Sequence, residues 1–203
     1  MHTLIQKFID NRRYLIKNGV TLELTEGDHS PFIFIDNPVI IAAFAGFIKN
    51  HTTDCEVYFR GEPGNYAHVV PSLFRDNGSP LTDNAVIKNR YKAYMELKNE
   101  VYEHFQKRVS RFKKEDIDNL FQHYGIKSPV IDMVDNIYIA IWFAQDGNTS
   151  GYGYIRLIQT ASPDLAVSDL RKNHSSLSLR LHTQHGLIAK KKSGYLEQKQ
   201  YLL

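Results

Sequence analysis

The side chains able to do chemistry fall in three islands of the sequence. In the first, Val57, Tyr58 and Phe59 read as an apolar strand ending in Arg60-Gly61-Glu62, with Val70-Pro71-Ser72-Leu73-Phe74-Arg75 after it. An arginine at the end of such a strand carries a guanidinium to whatever lies there, and its fork suits a carboxylate or a phosphate. Arg60 is therefore read either as an anion donor or as a brace of the loop, paired with Glu62 or another carboxylate. The second island is Gln122-His123-Tyr124-Gly125, followed by Asp132. His123 falls in the last turn of an expected helix, where it serves as a general acid or base, an orienting donor, or a cap on the last carbonyls. Asp132 lies in an apolar setting and needs a partner if buried; Arg60 and Arg75 are the candidates. The third island is Arg180-Leu181-His182-Thr183-Gln184-His185-Gly186. Gln184 beside a glycine fits close approach of the backbone to a ligand or another strand. His182 and His185 have no third ligand at metal spacing, so no metal is expected. Tyr58, Tyr124 and Tyr66 stand beside these islands and are the aromatics able to stack on a ligand. The expectation is that Arg60, His123, Asp132 and Gln184 converge on one cleft.

The elements that must position these groups follow from periodicity. Leu4, Ile5, Phe8, Ile9, Tyr14 and Leu15 predict a helix over 2–18, stopped at Asn18-Gly19. Short strands are predicted over 20–24 and 31–35, then a helix from Asp36-Asn37-Pro38 to Lys49, with a polar cap and a proline in its first turn. A strand over 56–61 carries Arg60. Residues 62–74 read as a loop, 83–109 as a long helix and 115–124 as a second helix ending at Gly125. After Ser128-Pro129, Val130-Ile131 reads as a short extended piece. Residues 135–143 read as a buried helix, with a strand as the alternative because of their β-branched content. A turn over 146–153 leads into a strand over 154–158. Residues 159–175 read as irregular, and 177–181 and 184–188 as extended. Tyr91, Tyr94, Tyr102, Phe105 and Phe143 follow helical spacing and are expected in the core.

Composition sets the frame for these elements. A chain of 203 residues, 42% hydrophobic and 23% charged, is about one domain with additions. Such a chain buries roughly two thirds of its unfolded surface and needs no disulfide or metal to hold a core. Disorder, collagen and disulfide scaffolds are excluded as overall classes. The net charge of +3 permits an anionic partner without demanding one. Lys107, Arg108, Arg111, Lys113 and Lys114 cluster, as do Lys190 to Lys192, but Glu103, Glu115, Asp116 and Asp118 interleave with the first group, the pattern of a solvated helix face. Nucleic-acid binding therefore ranks below a small-molecule or protein partner. The most apolar run, Val39 to Ile48, is about half the length of a membrane span. Residues 1–18 do not read as a signal peptide. Cys55 is the only cysteine, so no internal disulfide forms, and a cytoplasmic location with no membrane partner is expected. The predicted fold class is α+β: one compact domain with a small mixed or antiparallel sheet and flanking helices. Residues 1–50 form an extension (helix, strand, strand, helix) packed on a main domain over 51–203.

In order and spacing the islands resemble the FRG domain family, named for its Phe-Arg-Gly motif. Here Phe59-Arg60-Gly61 stands for the motif, Val70 to Arg75 for the Leu-Pro-Ser-Leu-Phe-Arg-like stretch, and Gln122 to Gly125 for Gln-His-Tyr-Gly. Lys127 to Val134 takes the place of Pro-Thr-Arg-Leu-Leu-Asp-Trp-Thr, and Asn136, Phe143-Ala144, Arg180 and Gln184-His185-Gly186 complete the series. Val130 replaces the family's Arg and Met133 its Trp. The resemblance extends over about 56–190. It implies contexts in toxin or phage-defence systems. By a further likeness of layout it implies an ADP-ribosyltransferase-like enzyme that cleaves NAD, a nucleotide serving as substrate. In that arrangement Arg60 anchors the anion, Tyr58 or Tyr124 stacks on nicotinamide, Gln184 holds a ribose hydroxyl, and His123 or Asp132 orients substrate. Gly61, Arg75 and Arg180 complete the ligand-binding set. Glu197 is the alternative to Gln184, because a Gln cannot oppose positive charge as a carboxylate does. A non-catalytic sensor that binds a ligand or a protein is the competing expectation, and a nucleic-acid module the third.

Overall fold

A computed structural model describes residues 2–11, 22–26, 31–66, 68–77, 79–108, 113–114, 116–161, 165–170 and 186–191. In chain order these give α1 (His2–Asn11), β1 (Leu22–Glu26), β2 (Pro31–Ile35), α2 (Pro38–His51), β3 (Val57–Glu62), a 3-10 turn (Ser72–Phe74), β4 (Arg75–Asp76), β5 (Ser79–Pro80), α3 (Asn84–Phe105), α4 (Asp116–His123), β6 (Ile131–Val134), α5 (Ile137–Gln145), β7 (Tyr154–Gln159), β8 (Leu165–Asp169) and β9 (Gly186–Lys191). The fold is α+β. Among the described residues it has five helices, a five-stranded antiparallel sheet and two small strand pairs.

Local chemistry starts the helices where the sequence places them. The Asn37 carboxamide oxygen accepts from the backbone N–H of Val39 and Ile40, and Pro38 sits in the first turn. Asp83 caps Ala85 and Val86, and Asn136 caps Tyr138. Each cap satisfies donors that the helix itself leaves unpaired.

The large sheet has the order β7-β3-β6-β9-β8. β3 pairs with β7 along its whole length, placing Arg60 opposite Arg156. It pairs with β6 at Phe59–Val134 alone and then diverges from it. β8, where the sequence predicts irregular chain, pairs with β9 as an edge strand. Its five residues are half-buried or exposed, so they lack the apolar alternation that marks a strand in sequence. The predicted strand over 154–158 and the extended pieces over 130–131 and 184–188 correspond to β7, β6 and β9. The predicted piece over 177–181 lies outside the described residues.

One layer of the core is helical. Phe8 of α1 packs edge-on against Phe44 at 5.1 Å and against Phe47 at 5.3 Å. That cluster continues through Ile40 and Ile48 to Val57 and Leu157 of the sheet. α5 lies flush on β3 because Gly61 has no side chain: a Cβ there would stand 1.9 Å from the Ala140 carbonyl oxygen. A second cluster joins Val70, Leu73 and Phe74 to Ile87 and Tyr94 of α3 and to Ile117 and Phe121 of α4. It fixes the 72–74 turn against α4, and those two segments form the walls of the candidate site. Of the aromatics expected in the core, Tyr94 is buried, and Tyr91, Tyr102, Phe105 and Phe143 are partly buried at its edge.

Candidate functional site

A cleft opens where β3 and β6 diverge. The 72–74 turn and the chain from Gln122 to Asp132 form its sides, and its volume is about 220 Å3. Arg60, Ser72, Arg75, Gln122, Lys127, Val130 and Asp132 are among its lining residues.

The two arginines of the first island differ in how they are held. Arg60 Nε donates to Glu62 Oε1 at 3.0 Å, and Nη1 donates to the main-chain oxygen of Asp132 at 3.0 Å. Glu62 is almost wholly buried and takes a second arginine, with Arg156 Nε donating to Oε2 at 2.5 Å. A buried carboxylate needs such pairing. Glu62 therefore clamps Arg60 and Arg156, which cross-strand pairing has already set side by side. The brace reading of Arg60 describes these contacts. Arg75 is half-buried on the cleft wall, and its side chain makes no hydrogen bond or ion pair with the described residues. Burial and the neighbouring Arg60 charge both push its pKa down, with Glu62, Tyr66 and Asp132 pulling the other way. Arg75 is thus a guanidinium crowded by like charge and facing open space.

The two sides are stitched to each other by serines. Ser128 N donates to Ser72 Oγ at 2.9 Å, and Leu73 N donates to the Ser128 carbonyl at 3.1 Å. Ser128 Oγ donates to Gln122 Oε1 at 2.9 Å, which turns the Gln122 amide nitrogen toward Asp132. Asp132 opens to solvent through the cleft yet is densely surrounded by protein. That loss of bulk water pushes its carboxyl pKa up, against the opposing influence of Arg60, Gln122 and Arg75. Lys127 Nζ stands 2.9 Å from Asp76 Oδ1, and Arg90 makes two hydrogen bonds to the same carboxylate. These cations hold the Asp76 carboxyl down at about 2. Among the described residues that line the cleft, Arg60, Arg75 and Lys127 outnumber Asp132, a balance that favours an anion.

The structure brings Arg60, Arg75 and Asp132 to one cleft, with Gly61 behind Arg60 and pressed on α5. His123 is the last residue of α4, directly after Gln122. Tyr124 is exposed beside the cleft residue Gly125, and Tyr58 packs on the sheet cluster of Val69, Ile131 and Met133. Arg180, His182, Gln184, His185 and Glu197 lie outside the described residues. Two departures from the family pattern now have places: Val130 is buried on the cleft wall, whereas Met133 is buried within the sheet core. Sequence reasoning named neither Lys127, which opens the Lys127 to Val134 stretch, nor Arg156, which ordinary strand alternation hides, as a site residue. Among the described residues no group of His, Cys, Asp or Glu is placed to hold a metal, and no helix is long and apolar enough to cross a membrane.

No curated protein and no solved structure matches the chain. A family model does: the FRG domain, over residues 55–151. The matched stretch begins just before β3 and ends just before β7. It contains every lining residue of the cleft named above, and it leaves out Arg180 and Gln184-His185-Gly186. With the Phe-Arg-Gly strand, the 72–74 turn, α4 and β6 all inside the match and all meeting at one cleft, the chain is an FRG domain-containing protein.

Proposed function

We propose that this FRG domain binds a small phosphorylated ligand in the cleft, with Arg75 as the principal anion donor and Arg60 as the brace that shapes the site. The observation that carries this reading is the half-buried Arg75 guanidinium, which has no hydrogen-bond or ion-pair partner among the described residues. A partly buried cation with no directly bonded carboxylate among the described residues is costly, and the fork of a guanidinium fits phosphate oxygens in pairs. The cleft volume of about 220 Å3 falls below the roughly 300–1,000 Å3 of pockets that enclose drug-sized ligands. A phosphate with a short attached group suits it better than an entire dinucleotide.

Asp132 favours a sharper, second reading. A carboxylate beside an anion anchor is what transfer of ADP-ribose from NAD requires, because positive charge develops on the ribose carbon as nicotinamide departs. On this chain Arg75 would hold a phosphate and Asp132 would oppose that charge, a role Gln184 cannot fill. A sensor in a toxin or phage-defence system would use the same cleft to bind without turnover. Thermal shift with inorganic phosphate, ADP and NAD, run beside an assay of nicotinamide release, separates the two. A shift lost in Arg75→Ala, with no nicotinamide released, supports the binding reading; release abolished by Asp132→Ala supports the transferase. Identical melting with and without every phosphate would sink both.

A further inference from the structure

We infer that Asp132 makes the cleft selective for a phosphorylated sugar with free hydroxyls over a phosphate ester that lacks them. This rests on the anion-binding reading above and adds what the rest of the ligand must be. A site built for a bare phosphate gains nothing from a carboxylate, which repels the ligand it serves. Here the main chain that presents the carboxylate is held in place. Arg60 Nη1 bonds the Asp132 main-chain oxygen at 3.0 Å, and β6 pairs with β9 at Asp132–Ile188. The side chain opens into the cleft beside Arg75 and Lys127.

An ionised carboxylate only accepts hydrogen bonds, and its two oxygens offer about four acceptor sites. Among the described residues the Gln122 amide is the side-chain donor that reaches it, and the acceptor sites facing the cleft are open to a ligand. The complementary group is a donor close to a phosphate. The surrounding cations disfavour an ammonium and leave a neutral hydroxyl as the better fit. Sugar phosphates carry that pairing, whether free or as part of a nucleotide.

Calorimetric titration of the full chain with ribose 5-phosphate, AMP and ethyl phosphate tests this. Ribose 5-phosphate is expected to bind about tenfold or more tighter than ethyl phosphate, the scale of a hydrogen bond to a charged group. In Asp132→Ala that ratio falls toward one, through weaker ribose 5-phosphate binding and tighter ethyl phosphate binding. Asp132→Asn has nearly the same shape and carries the test if the alanine variant does not fold; it too should tighten ethyl phosphate and narrow the ratio. Arg75→Ala should weaken both esters together. The source shows in the AMP arm, where binding at least as tight as that of ribose 5-phosphate points to nucleotides and much weaker binding to free sugar phosphates. Equal binding of ribose 5-phosphate and ethyl phosphate, or a ratio that survives both Asp132 substitutions, overturns the inference and leaves the anion site standing. No binding by any phosphate overturns both.

Discussion

Arg60 and Arg75 bring the same guanidinium to the same cleft, yet their substitutions should behave differently. Arg60 donates to a buried carboxylate and to a main-chain oxygen, so Arg60→Ala should cost about 1.5–3 kcal/mol of stability, the range for hydrogen bonds to charged groups. Arg75 makes no such contact with the described residues, and Arg60 repels it. Arg75→Ala should therefore stay within about 0.5 kcal/mol of the parent while losing the ligand-induced shift. Paired urea melts of the two variants check this; equal losses would mean that Arg75 is also a brace. The pH dependence is set by Asp132. Its folded pKa lies above the ordinary 3.8 because burial outweighs the attraction of Arg60, Gln122 and Arg75. At neutral pH the ionised side chain is held less favourably than in the unfolded chain. It thus subtracts stability above its folded pKa, and the penalty fades as pH falls through that value. Asp132→Asn should be more stable than the parent at pH 7, with the gap closing by about pH 3.5. Urea midpoints at the two pH values decide it, and a less stable Asn variant at pH 7 would refute the sign.

At the scale of elements, the contact between β3 and α5 does most to shape the site. Gly61 lets α5 lie directly on the strand that presents Arg60, and a Cβ would also stand 2.7 Å from the Ala144 amide nitrogen. Because both obstructing atoms are backbone, Gly61→Ala must separate helix and strand, at a cost of about 3 kcal/mol or more. Chemical denaturation measures that cost, and a near-neutral Gly61→Ala would show that α5 does not depend on this approach. Much of this arrangement can be read from sequence. Capping residues place the starts of α2, α3 and α5, and an apolar run ending in Arg-Gly places β3. Arg60 and Asp132 can be read as neighbours because a buried carboxylate needs a cation. Which arginine is braced and which has no bonded partner among the described residues cannot be read, because that depends on Arg156, 94 residues from Glu62 in the chain and joined to it across the strand pair. Nor can β8, whose pairing with β9 at the sheet edge leaves no apolar stripe to betray it.

For the whole molecule, the question is whether the first fifty residues are an ornament or part of the structure that holds the cleft. The family match begins at residue 55, yet the core does not respect that boundary. Phe8 is fully buried between Phe44 and Phe47, and its cluster runs into Val57 and Leu157 of the sheet. Val57 begins the strand that carries Arg60. A cavity at Phe8 should therefore weaken more than α1. Phe8→Ala is expected to cost about 3–5 kcal/mol, as phenylalanine deletions in cores do, and to shift a single cooperative transition instead of creating an early one. Trp142 reports on α5. It is the only tryptophan, 59% exposed on α5, so its quenching by acrylamide changes little when it unfolds, but its contact with Phe143 at 5.0 Å should make its emission sensitive to loss of that packing. Trp142 emission and far-UV circular dichroism should then fall together along the urea axis in the parent, and both should move to lower urea in Phe8→Ala. If the helical signal drops first and Trp142 stays unchanged, residues 1–50 form a separate unit and the cleft stands without them.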